Sequence, residues 1–186
     1  MNLKNKIGAV GLTIIIAIII FTAGCSPQKQ EVPAAVKNLE KFRTATIEHL
    51  SKPAPSFELK DDKGQKLNND VLKGKVYILQ GFAPGCSSCA REIATLNKVY
   101  SAYKDKGLDI ISLDVASEEI SGALETKQKF NGGEWHWAID TDNVAVKFEI
   151  NSLESTYIVD KEGIIRYKDE SISDADTLAK EIEKLI

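Results

Sequence analysis

Apolar and polar positions follow different periods along this chain, and each period predicts a kind of element. Ile7 to Phe21 is an almost unbroken apolar run, with Ile14-Ile15-Ile16 and Ile18-Ile19-Ile20 at its centre and Lys4 and Lys6 ahead of it. Val36, Leu39, Phe42, Ile47 and Leu50 then form a loose apolar stripe. This predicts a helix from Pro33 to about Leu50, with Pro33 at its first position. Lys52-Pro53-Ala54-Pro55 breaks the chain. Phe57-Glu58-Leu59 alternates, Asp61-Asp62-Lys63-Gly64 reads as a hairpin turn, and Gln65 to Leu67 is the returning strand.

Val76-Tyr77-Ile78-Leu79 and Leu108-Asp109-Ile110-Ile111-Ser112-Leu113 are near-continuous apolar runs, as expected of strands buried on both faces. A helix is expected between them from about Cys86 to Lys106, stopped by Gly107. Ser117 reads as the cap of another helix that reaches about Phe130 and ends at Asn131-Gly132-Gly133. Trp135 to Ile139 is expected to be extended, and Asp142 to Phe148 a short helix. Thr156 to Val159, the turn Asp160-Lys161-Glu162-Gly163, and Ile164 to Tyr167 predict an antiparallel hairpin. Ser173, with Asp176 three residues on, resembles a capping box for the last helix. The order β-α-β followed by β-β-α predicts an α/β sandwich of about 130 residues.

Composition then narrows the function classes. With 27 acidic and 24 basic residues and a net charge of −3, the 186-residue chain offers no electrostatic drive toward nucleic acid. A charged fraction of 27% with five prolines does not describe a disordered polymer. Three cysteines are too few for a disulfide-dense scaffold, and their odd number asks where the unpaired one goes. The apolar run supplies an answer. At roughly 15 residues it matches a signal-peptide core and falls short of the ~20 needed for a permanent membrane helix. It ends in Thr22-Ala23-Gly24-Cys25-Ser26, which resembles a bacterial lipobox, with cleavage before Cys25 and lipid attached to that thiol. Thr22 stands where such signals usually carry Leu. The alternative is an uncleaved helix from Ile7 to about Thr22, with Cys25 incidental. Both readings put Lys4 and Lys6 on the cytoplasmic side and the remainder outside. The expected organisation is a signal peptide over 1–24, a tether and helix over 25–52, and one domain over 53–186.

If Cys25 takes the lipid, two thiols remain, and they are neighbours. Cys86-Ser87-Ser88-Cys89 falls where a buried strand ends and a helix begins. Spacing of three on a helical turn lets the two sulfurs reach bonding distance. The unsatisfied N–H groups and positive end of the helix dipole favour a thiolate on the first cysteine. Cys86 is therefore the expected nucleophile and Cys89 the resolving thiol. Two other readings stay open: half of a zinc site, although no second Cys-x-x-Cys exists and His49 and His136 lack ligand-like spacing, or a structural disulfide, although so short a loop makes a weak staple. No other metal site is expected, and no cofactor beyond the redox-active disulfide. Trp135-His136-Trp137 reads as edge-strand packing ahead of a ligand-binding aromatic patch.

Pro53-Ala54-Pro55-Ser56-Phe57-Glu58-Leu59, the Gly64 turn, Leu72-Lys73-Gly74-Lys75-Val76 and the strand–loop–Cys-x-x-Cys segment resemble thioredoxin-like lipoproteins and membrane-anchored thiol–disulfide oxidoreductases of the TlpA/ResA group. The resemblance runs from about residue 53 to 186. It implies a three-layer sandwich with a central mixed β-sheet, an N-terminal β-hairpin extension and a preceding helix. It also implies that Cys86 and Cys89 are the redox pair and that Glu92, three residues beyond Cys89, is an acidic group at the active site. An exposed helix glutamate is the alternative for Glu92. Gln80 falls where thioredoxin has a buried acid and this group often has Asn.

Several positions depart from the group. Gly85 stands in place of the usual Trp before the first cysteine, and Ser87-Ser88 replaces a proline-containing linker. Ala94 falls where a helix proline is common, and Glu154 stands where the cis-proline of the substrate groove (Leu153, Glu154, Ser155) belongs. A cis bond before a non-proline residue costs roughly 2.5–4 kcal/mol, so the Leu153–Glu154 bond is expected to be trans. A peroxiredoxin site is not matched, because residue 83 is Ala and residue 86 is itself Cys. The resemblance implies reduction of a disulfide-bearing protein substrate, with re-reduction by a membrane electron donor. A non-enzymatic alternative remains: a thioredoxin-fold binding or assembly lipoprotein whose cysteine pair is inert or metal-binding.

Overall fold

A computed structural model describes residues 47–186. The expected signal peptide, Cys25 and the expected helix up to residue 46 lie outside the described residues. The elements, in chain order, begin with strand β1 (Ile47–Pro53), hairpin strands β2 (Glu58–Lys60) and β3 (Lys66–Asn68), and a short helix α1 (Asn69–Leu72). Strand β4 (Val76–Phe82), helix α2 (Ser87–Tyr103) with a 3-10 turn at Lys104–Lys106, and strand β5 (Leu108–Asp114) follow. Helix α3 (Ile120–Lys129), strand β6 (His136–Ile139) and helix α4 (Val144–Lys147) come next. Strands β7 (Thr156–Val159) and β8 (Ile164–Asp169) and helix α5 (Ala175–Glu183) complete the chain. Six strands form one mixed sheet in the order β1-β8-β7-β4-β5-β6, while β2 and β3 pair separately. Strands β4, β5 and β6 are parallel; β4–β7, β7–β8 and β8–β1 are antiparallel.

Every residue of β4 is buried, and its side chains divide between the two faces with the two-residue period of a strand. Val76, Ile78 and Phe82 enter a core shared with Ile93, Leu96 and Val99 of α2, Ala123 of α3, and Leu178 and Ile182 of α5. Tyr77 and Leu79 enter a second core, with Phe57, Leu59 and Leu67 of the hairpin segment, Leu72 of α1 and Val144 of α4. These two cores make the expected three layers. In β8 the alternation is broken: Ile158 pairs with Tyr167 but Val159 pairs with Ile165, leaving Arg166 as an extra residue. That bulge sends Ile165 to one core and Tyr167 to the other, although they are two residues apart.

Three local expectations are corrected. Ile47 to Leu50, assigned above to the end of a helix, begin an edge strand antiparallel to β8. Ile47 packs against the first core and Leu50 against the second. An odd separation puts strand residues on opposite faces, so the same apolar spacing serves a strand that touches both layers. Ser117 does not cap α3, whose N-cap is Glu119. The amides of Ala116 and Ser117 donate to Asp114 Oδ1, at 3.0 and 3.1 Å, in a turn that delays the helix. The cap of α5 is Asp174, which accepts from Thr177 N at 2.7 Å. Ser173 is buried one residue earlier.

The Trp-His-Trp segment packs as edge-strand packing predicts. Trp135 and Trp137 are buried and stacked, with ring centroids 5.6 Å apart. His136 points the other way. Its Nδ1 lies 2.8 Å from Asp61 of the hairpin turn and its Nε2 3.2 Å from Asp109 of β5. Lys75 Nζ also donates to Asp109, at 3.1 Å. The Asp109 hydrogen bond raises the pKa of His136 against the opposing effect of burial, and Asp61 adds to the rise. Burial works against ionised Asp61 and Asp109, but the His136 contacts and their other donors outweigh it and lower both. A raised histidine contributes stability that is present below its free value near 6.5 and lost as pH rises through the folded value. The melting temperature of the full-length protein should therefore fall as pH rises above about 6.5, and His136→Gln should flatten that decline. An equal decline in the variant rejects this role.

Candidate active site

Strand β4 carries the backbone through the middle of the sheet and releases it at Ala83-Pro84-Gly85. Gly85 has φ +81°, a left-handed conformation that costs a bulky residue far more than glycine. No atom would crowd a Cβ at this position, so backbone shape accounts for the glycine. The Cys86 amide donates to the Ala83 carbonyl at 3.2 Å, closing the turn. Cys86 is then the N-cap of α2, with its sulfur accepting from Cys89 N at 3.1 Å. A sulfur in this position receives the hydrogen bond and the positive dipole end that stabilise a thiolate.

Cys86 and Cys89 form a disulfide, with Cα atoms 5.3 Å apart. Cys86 is partly exposed, whereas Cys89 is fully buried. The Ser88 hydroxyl lies 3.3 Å from Cys86 Sγ. A disulfide sulfur carries no proton, so in this contact Ser88 is the donor. Ser88 had no assigned role in the sequence, yet its place two residues after Cys86, inside the first helical turn, is what brings it to the sulfur.

Glu92 is fully buried, which sets aside the exposed alternative. Its Oε1 accepts from Thr156 Oγ1 at 2.8 Å and its Oε2 from Ser173 N at 2.9 Å. The carboxyl group thus links α2 to β7 and to the segment before α5, one helical turn beyond Cys89. Neither Thr156 nor Ser173 was identifiable from sequence as a partner, because both lie far from Glu92 along the chain and Ser173 carries a capping signature. Gln80 is also buried. Its amide donates to the Gly81 carbonyl, and its Oε1 accepts from Ser112 Oγ at 3.3 Å. Trp135 Nε1 donates in turn to Ser112 Oγ at 3.0 Å.

The groove segment Leu153-Glu154-Ser155 lies against the cysteine pair. The Leu153 carbonyl oxygen is 3.8 Å from Cys89 Sγ. The Leu153–Glu154 bond is trans, as expected. Ser155 anchors the segment: its carbonyl accepts from Gly81 N at 3.1 Å and its amide donates to the Ser152 carbonyl at 3.0 Å. Ser152 Oγ donates to Glu154 Oε2 at 2.5 Å. The Ser152 hydroxyl, followed by that of Ser88, holds the Glu154 carboxyl below the usual carboxylate range against the effect of partial burial. The predicted site residues of the domain therefore meet in one place. Both ring nitrogens of His136 are occupied by carboxylates, and His49 lies beside Glu181 at 3.2 Å. Among the described residues no cluster of three His, Cys, Asp or Glu side chains could hold a metal ion.

The chain is similar to proteins of known kind. Thiol-disulfide oxidoreductase ResA of Bacillus cereus is 31% identical over 115 residues, 61% of this chain. The alignment spans 65% of that protein's length. Thiol:disulfide interchange protein DsbE of Allochromatium vinosum is 32% identical over 140 residues, covering 74% of this chain and 75% of that one. The crystal structure of the thioredoxin domain of a thiol-disulfide oxidoreductase from Bacteroides vulgatus superimposes with a TM-score of 0.64 at 26% identity. That match covers 74% of this chain and 97% of the other, and it shows the thioredoxin-like fold. The sequence model of the AhpC/TSA family matches residues 50–168, so with this fold and these relatives the chain belongs to the AhpC/TSA family.

Proposed function

We propose that this protein is a membrane-tethered, extracytoplasmic thiol–disulfide oxidoreductase that reduces disulfides in partner proteins. One observation carries the reading: a partly exposed sulfur, Cys86, caps the N-terminus of α2 while its partner, Cys89, is sealed behind it. That asymmetry divides the labour of exchange between an attacking and a resolving thiol. The names of the ResA and DsbE relatives point the same way.

In the forward cycle the Cys86 thiolate attacks one sulfur of the partner's disulfide. A Cys86–partner disulfide forms, and the partner's other sulfur leaves as a thiolate and takes a proton from water. Cys89 loses its proton and attacks Cys86 Sγ, which restores the Cys86–Cys89 bond and expels the second partner thiolate. Two electrons have passed from the dithiol to the partner. We assign Glu92 the role of accepting the Cys89 proton. A membrane electron donor then supplies two electrons and two protons to regenerate the dithiol.

The tether is assigned to the N-terminal region: a signal peptide over 1–24 and lipid on Cys25. The apolar run from Ile7 to Phe21 and the small residues before Cys25 support this assignment; among the described residues no helix is long and apolar enough to cross a membrane. Mass spectrometry of the protein from the membrane fraction should find a diacylglyceryl group on Cys25 and no residues before it. An intact N-terminus with unmodified Cys25 rejects the lipoprotein assignment.

After reduction, iodoacetamide should modify Cys86 at least about tenfold faster than Cys89, read peptide by peptide. With a disulfide-bearing substrate, Cys89→Ser should accumulate the mixed disulfide and Cys86→Ser should form none. Equal alkylation, or a pair that dithiols cannot reduce, overturns the exchange reading in favour of an inert pair. Glu92→Gln leaves an amide N–H facing a donor that had a carboxylate oxygen. It should lower unfolding free energy by about 1–3 kcal/mol and should slow release of the mixed disulfide. Unchanged release kinetics removes Glu92 from the proton transfer.

A further inference from the structure

We propose that Glu154 selects the partner by charge, favouring disulfides flanked by cationic groups and disfavouring those flanked by carboxylates. The inference rests on the exchange reading above and deepens it by naming the class of substrate. Its basis is the shape of the approach to Cys86. Cys89 is buried and covered on one side by the Leu153 carbonyl, so a partner sulfur reaches the pair through the exposed side of Cys86. Ser88 stands beside that sulfur, its hydroxyl 3.3 Å from Cys86 Sγ. Leu153, whose carbonyl lies 3.8 Å from Cys89 Sγ, is followed directly by Glu154, so the carboxylate stands on the segment that lies against the pair. A chain bonded to Cys86 therefore carries the residues beside its own cysteine across Glu154.

The carboxylate is held in place as well as ionised. Ser152 Oγ donates to Oε2 at 2.5 Å and the Glu154 amide donates back to Ser152 Oγ at 3.3 Å. These donors and Ser88 are neutral, so they orient the charge without cancelling it. Arg91, one turn into α2, acts on it only through space. A proline at this position would present an uncharged ring, whereas this chain presents a charge. A fixed charge close to the reacting sulfur acts on each approaching ion through Coulomb attraction or repulsion, moderated by solvent.

The experiment uses the full-length protein, reduced, with three small disulfides: cystamine with its ammonium groups, neutral hydroxyethyl disulfide, and dithiodiglycolate with its carboxylates. Second-order rate constants are divided by those of dithiothreitol with the same disulfides, which removes their intrinsic reactivity. The normalised cystamine-to-dithiodiglycolate ratio should be about tenfold at low ionic strength and should shrink as salt is added. Glu154→Gln should bring the ratio close to one and Glu154→Lys should invert it. Ratios in both variants equal to that of the unaltered protein overturn the charge selection while exchange with the neutral disulfide stands. Failure of the unaltered protein to react with any of the three, the neutral one included, overturns the exchange reading and this inference with it.

Discussion

Strand β4 is the constraint on which the rest of the molecule depends. It is hydrogen-bonded to β5 on one side and β7 on the other, and all of its residues are buried. Such a strand can neither slip in register, since one residue of slip would exchange its two faces, nor move out of the sheet. Its last residue therefore delivers the following turn to a fixed point. Gly85 reverses the backbone there, α2 starts, and the cysteine sulfur lands on the open end of the helix. The reactive geometry is thus inherited from a fully buried strand at the centre of the sheet.

Glu92 adds a second tie beneath that point. A buried carboxyl is costly unless its oxygens are satisfied, and here one oxygen is bonded to β7 and the other to the backbone before α5. The helix bearing the cysteines is thereby joined to the strand that follows the groove segment. Cys86, Cys89 and Glu154 belong to segments far apart in the chain, and their relative positions rest on these polar ties together with the cores above and below the sheet.

Much of this organisation was legible in the chain. The buried strands announced themselves as continuous apolar runs, and the Gly107 stop and the hairpin turns at Gly64 and Gly163 follow from left-handed glycines. The failures share a cause. Ile47 and Leu50 have a spacing that suits a helix and equally an edge strand touching both layers, and only the unpaired edge of β8 decides between them. Ser117 and Ser173 carry genuine cap signatures, but Asp114 takes the amide of the first and Glu92 that of the second. Glu92 itself looks like any surface glutamate until the sheet brings Thr156 to it. Local chemistry was readable; partners distant in sequence were not.

The stacked indoles under the site carry one more consequence. Trp135 and Trp137 are the chain's only two tryptophans; both are buried, and Trp135 is tied through Ser112 to Gln80, near the end of the strand that leads into the cysteine turn. The indole emission of the molecule thus originates in a single dry spot with no contribution from its surface. Light emitted there is an internal gauge of the packing that supports the reactive sulfurs.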